Sequence, residues 1–97
     1  MSKDELVFGT PAAYRFLVGV FGEMFAAIHT LRSFVKRAER SVPPFSGGDI
    51  PWYHKDGEDC RTRKAYCKRE LINWFVSGFS SAQMRAEAQA RAQQAQL

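Results

Sequence analysis

The sequence predicts an all-α fold, a small bundle of about three helices with a long Pro/Gly/aromatic loop between the first and the second. Three observations predict it. Apolar residues recur at helical spacing from Tyr14 to Val35. A second apolar face is formed by Cys60, Cys67, Leu71, Trp74 and Gly78. The C-terminal stretch "SAQMRAEAQARAQQAQL" is rich in alanine, the strongest helix former. At 97 residues the chain is expected to be one domain, 1–97, with room for one modest core and none for a second catalytic lobe.

The first helix is expected over about 11–40. Thr10 followed by Pro11 reads as an N-cap and first-turn pair, and the apolar stripe then runs Tyr14, Leu17, Val18, Phe21, Met24, Phe25, Ile28, Leu31 and Val35. Ser41, Pro43 and Pro44 stop it. Unbroken, such a helix would be about 45 Å long at 1.5 Å per residue. A compact chain of this size is only about 33 Å across. The helix must therefore overrun the body, meet a second subunit, or bend, and Gly19 and Gly22 are the expected bend points.

On a helical wheel Gly19, Gly22, Ala26 and Ser33 also fall on one stripe of small residues opposite the large apolar face. Such a stripe suits close approach of the alanine-rich helix, within one chain or between two; the alternative is that the C-terminal helix is frayed and solvated. The stripe and the overlong first helix together lead to the expectation of a homodimer.

The loop 41–56 carries three prolines with Phe45, Trp52 and Tyr53. It reads either as a functional loop or as a lid whose aromatics fold back on the core. The second helix is expected over about 57–77 and the third over about 81–96, the latter opened by a capping box of Ser80 with Gln83. Within the second, "CRTRKAYCKRE" is basic nearly all round and "LINWFVSGF" is apolar nearly all round. That segregation reads as a basic knob, Arg61, Arg63, Lys64, Lys68 and Arg69, projecting from a buried C-terminal half. Cations at a helix start oppose its dipole, and Glu58 and Asp59 only partly repair the conflict. A second basic group, Arg32, Lys36, Arg37 and Arg40, closes the first helix, where the dipole favours cations.

Several chemistries are excluded or unsupported. Zinc needs about four ligands, and only Cys60, Cys67, His29 and His54 are nitrogen or sulfur donors, at a spacing of no common finger, so no metal site is expected. If both cysteines are helical, their Cα atoms lie about 10.5 Å apart, beyond disulfide reach, and both read as small buried residues. No nucleophile motif, carboxylate pair or phosphate loop is present. No enzyme activity and no cofactor are expected.

The stretch from Ala12 to Leu31 is long enough for a membrane span but contains Arg15, Glu23 and His29. Charges at the centre of a bilayer cost roughly 2.5 to 3.5 kcal/mol each, so no membrane partner is expected. "MSKDELVF" has acids where a cleavable signal needs cations, so a cytoplasmic location is expected. Net charge is +4 with a pI near 9.4. That balance favours an acidic or phosphate-bearing partner.

These features together predict a non-enzymatic binding protein that docks on a protein or nucleoprotein machine and modulates or inhibits it. The contact residues expected are the basic knob with Trp52 and Tyr53, and the second basic group beside them. Sequence-independent nucleic-acid binding is the alternative, since phosphate contacts and base stacking use the same residue types. A structural or assembly role as a homodimer is a third reading. In type, a short basic helical chain without catalytic motifs is similar to small phage-encoded inhibitors, anti-CRISPR proteins among them. That likeness is one of size and character, with no motif behind it.

Overall fold

In the computed structural model, which describes residues 5–40, 50–54 and 64–95, helices dominate, but a small sheet joins them. The order is β1 (Leu6–Phe8), α1 (Thr10–Phe21), α2 (Glu23–Ala26), α3 (Leu31–Arg40), β2 (Tyr53–His54), β3 (Lys64–Cys67), α4 (Lys68–Ser77) and α5 (Ala82–Ala95). The sheet has strand order β1-β3-β2, both pairings antiparallel, with Val7 opposite Tyr66 and Tyr53 opposite Ala65.

The expected all-α class is thus corrected at its second helix. Lys64 to Cys67 is the central strand of the sheet and α4 begins at Lys68. Ala65, Tyr66 and Cys67 are buried in succession. Both faces of the strand are therefore covered, which burial on a single helix face could not achieve. Lysine and alanine are good helix formers, yet pairing on both edges and the burial of Tyr66 outweigh that local preference. The remainder of the expected helix, including Cys60, Arg61 and Arg63, lies outside the described residues.

Gly9 turns the chain from strand to helix. Its φ of 91° is in the region that only glycine enters freely. Its N–H closes the ladder on the Lys64 carbonyl at 2.7 Å, and its own carbonyl accepts the first helical bond from Ala13. Gly9 therefore occupies the cap position expected of Thr10. The Thr10 hydroxyl instead meets the Tyr66 hydroxyl at 2.8 Å inside the core.

The expected helix 11–40 is three helices. The first break is at Gly22 (φ 58°, ψ −134°), one of the two expected bend points; Gly19 lies inside α1. The second break is at residues 27–30. There Thr30 caps α3 reciprocally with Ser33: Thr30 Oγ1 accepts the Ser33 N–H at 3.1 Å and Ser33 Oγ accepts the Thr30 N–H at 3.0 Å. This is a capping box with serine in the place usually held by Glu or Gln.

The two breaks reset the phase of the apolar stripe. Leu17, Phe21 and Phe25 are fully buried as expected, but Ile28 is 54% and Leu31 43% exposed, and α3 buries Phe34 and Ala38 instead. Aromatic rings fill the centre. Phe21 and Phe75 are 4.6 Å apart, Phe25 and Phe75 5.2 Å, and Tyr14 lies between Phe25 (5.4 Å) and Phe34 (5.9 Å). Each such pair contributes about 0.5 to 1.5 kcal/mol beyond its area. Trp52, Ile50 and Pro51 also close on this core, so the described end of the loop is a lid. In α4, Leu71, Ile72 and Phe75 are buried while Asn73 and Ser77 are exposed, as is the C-cap Gly78, so the expected all-round burial is one-sided.

Helix α5 follows the expected bounds to within a residue, but its cap is Ser81, whose Oγ accepts the Met84 N–H at 3.4 Å. It packs through Ala88 and Ala92 and is tied down by two arginines. Arg85 Nη1 donates to the Phe79 carbonyl at 2.6 Å, and Arg91 Nη1 donates to the Phe21 carbonyl, the last of α1, at 3.2 Å. A guanidinium at a helix C-terminus satisfies a carbonyl the helix itself leaves open.

Candidate interaction surface

The expected basic and aromatic residues divide into cations laid on rings and cations presented to solvent. Lys64 opens β3 half-buried, with Nζ 4.4 Å from the Trp52 ring centroid. Trp52 is only 6% exposed. These two expected contact residues therefore do meet, but as an internal cation–π pair and not as a displayed surface. Lys68, the first residue of α4, places Nζ 5.6 Å over Phe16, and Arg37 places Cζ 5.2 Å over Trp74. Such contacts are worth about 0.5 to 1 kcal/mol at partly exposed positions. Arg69 is exposed, and for Tyr53 the described feature is its backbone pairing in β2.

With Lys64 in a strand, the conflict with the helix dipole shrinks. Only Lys68 and Arg69 stand at the start of α4, with Glu70 in the same turn.

The larger exposed basic face is on α3. Arg32, Lys36 and Arg40 are all exposed and follow one another at four-residue spacing, so they form a line about 12 Å long. Among the described residues no ion pair holds any of them. Glu39 is the only acid of the helix. Arg37 lies further round, between this stripe and the buried Phe34 and Ala38, which is why its guanidinium reaches Trp74 on α4.

The small-residue stripe faces away from α5. Gly19 is exposed, and a Cβ added at Gly19 or Gly22 would meet nothing within 4 Å. Ala26 is exposed at the end of α2, and Ser33 is engaged in the α3 cap. Within the chain, then, α5 does not use this stripe; the two arginine anchors and Ala88 and Ala92 serve in its place.

One feature escaped the sequence reading. Between the α2–α3 connection and the end of α4 lies an open cleft of about 280 Å³. Trp74, Phe75, Gly78 and Phe79 line it from the end of α4, and Ile28, His29 and Arg37 line it from the α2–α3 connection and α3. His29 is buried against Phe25 (5.0 Å) and Trp74 (5.6 Å). Its backbone is held by the Tyr14 hydroxyl, which donates to the His29 carbonyl at 3.0 Å. The legible signal was "HTLRS", where a Thr and a Ser three apart can cap a new helix and so leave Ile28 outside the apolar stripe.

The described residues include no cluster of three or more His, Cys, Asp or Glu side chains able to hold a metal ion, and no helix long and apolar enough to cross a membrane. Cys67 is a buried free thiol that ends β3 and precedes α4. Comparison with protein-family models, curated proteins and solved structures gives no match.

Proposed function

We propose that this protein is a non-enzymatic binding module that docks through the basic face of α3 on an acidic protein surface and so modulates a larger machine. The observation that carries the reading is the exposed line of Arg32, Lys36 and Arg40, together with two alkyl side chains exposed just before and at the start of the same helix, Ile28 (54%) and Leu31 (43%). Cations flanking apolar anchors suit a protein interface, in which a desolvated centre is ringed by polar contacts. Phosphate contacts alone would gain little from Ile28 and Leu31, which places direct nucleic-acid binding second. Arg69, in the first turn of α4, is exposed as well.

The experiment is affinity capture from the organism that encodes the protein, comparing the wild type with R32E/K36E/R40E, with and without nuclease. The reading requires that proteins be captured by the wild type, be lost by the charge-reversed variant, and persist after nuclease. Capture that vanishes with nuclease would transfer the function to nucleic-acid binding. Capture that survives charge reversal would remove α3 from the interface.

A further inference from the structure

We infer that the cleft beside α3 receives an aromatic side chain flanked by carboxylates on the partner's surface, an inference that rests on the docking reading above. Size comes first. A cavity of roughly 150 Å³ holds a benzene ring. At about 280 Å³ the cleft has room for an indole or phenol and little more. It is below the common range for drug-sized ligands, roughly 300 to 1,000 Å³, so one side chain is a better match than a whole metabolite.

The walls set the chemistry. Trp74, Phe75 and Phe79 present ring faces and edges, which favour another ring over an alkyl chain. Arg37, which also lines the cleft, places its guanidinium carbon 5.2 Å from the Trp74 ring centroid, so a cation stands at the aromatic wall. Among the described residues no carboxylate lines the cleft. Arg37 lines the cleft and the exposed Arg40 stands about one turn further along the same helix, so acidic residues beside the inserted ring would meet cations. That charge complementarity is what selects an acidic partner over a second copy of this basic chain.

The site is also held in shape before anything binds. The Tyr14 hydroxyl fixes the His29 carbonyl from α1, and Arg85 fixes the Phe79 carbonyl from α5. Opposite sides of the cleft are thus tied to different helices. A preformed receptor loses less free energy in ordering on binding.

The test is an amide and indole NMR titration at low salt with two probes, the acetylated and amidated peptides Glu-Asp-Trp-Glu-Asp and Glu-Asp-Ala-Glu-Asp. The inference requires that the tryptophan peptide bind about tenfold or more tighter than the alanine peptide. It also requires shifts at the Trp74 indole and the Gly78 amide, and a preference that shrinks in I28Q, a change at an exposed position that leaves the fold intact. R32E/K36E/R40E should weaken both peptides. If both peptides bind alike through α3, the cleft assignment is overturned and the docking reading stands. If neither perturbs the spectrum at millimolar concentration, both are overturned.

Discussion

Thr10 and Tyr66 meet hydroxyl to hydroxyl at 2.8 Å, joining the first turn of α1 to the centre of the sheet across 56 positions of sequence. Tyr66 has no exposed surface and Thr10 is 9% exposed. A buried hydroxyl without a partner costs about 1 to 3 kcal/mol. T10V should therefore destabilise the fold by about that amount, because it leaves the Tyr66 hydroxyl stranded. Adding Y66F to T10V should recover part of the loss, since both polar groups are then gone. Denaturant titration of the two single variants and the double closes the cycle.

The same pair sets a pH dependence. Burial raises the Tyr66 phenol above its usual value near 10, and the bond from Thr10 offsets this only in part. The folded state therefore holds this proton more tightly than the unfolded state. Stability from this group is complete below about pH 10 and falls as pH rises beyond it through the folded value. Thermal melts above pH 10 should show a decline for the wild type that Y66F reduces; an equal decline in both would mean that Tyr66 does not titrate as its burial requires.

Two glycines should respond to alanine with opposite sign. Gly22 has space for a Cβ but a φ of 58°, so G22A should destabilise by about 1 kcal/mol or more through backbone strain. Gly19 sits in an exposed helix interior with nothing within 4 Å, so G19A should stabilise by about 0.5 to 1 kcal/mol. If Gly19 instead served a close helix contact in a homodimer, G19A would weaken association. Sedimentation across a concentration series distinguishes the two.

Helix α5 has few large side chains to hold it, so its arginines matter more than the surface pair Arg91–Glu87, 3.8 Å apart and half exposed. R91A should cost about 1 to 2 kcal/mol through the lost bond to the Phe21 carbonyl. R91K should recover only part, because lysine lacks the planar fork. Hydrogen exchange should quicken in α5 before it does in α1.

The helical periods were legible because they are long and strongly patterned. The buried Leu17, Phe21 and Phe25 follow directly from them, whereas the α5 bounds follow from alanine content and a serine at its start. The strands were not legible, since runs of three, two and four residues are too short to establish an alternating pattern. Lys64 to Cys67 also has helical local preference, and long-range partners reverse it: β1 and β2 on its two edges and Thr10 at the Tyr66 hydroxyl. The basic residues of the site were legible as types, but not their use. Nothing local says that Lys64 lies on Trp52 and Arg37 on Trp74, whereas Arg32, Lys36 and Arg40 remain in solvent. Nor could a continuous apolar stripe reveal that Ile28 and Leu31 emerge at the surface once Thr30 and Ser33 restart the helix.

If the exposed face of α3 makes the functional contact, as proposed, charge reversal along it must abolish that contact. The most direct measurement is quantitative mass spectrometry of nuclease-treated captures by the wild type and by R32E/K36E/R40E, with melting temperatures confirming that both are folded. Proteins should be depleted by about tenfold or more in the charge-reversed capture, a difference of about 1.4 kcal/mol. Equal recovery by the two proteins would contradict the proposal.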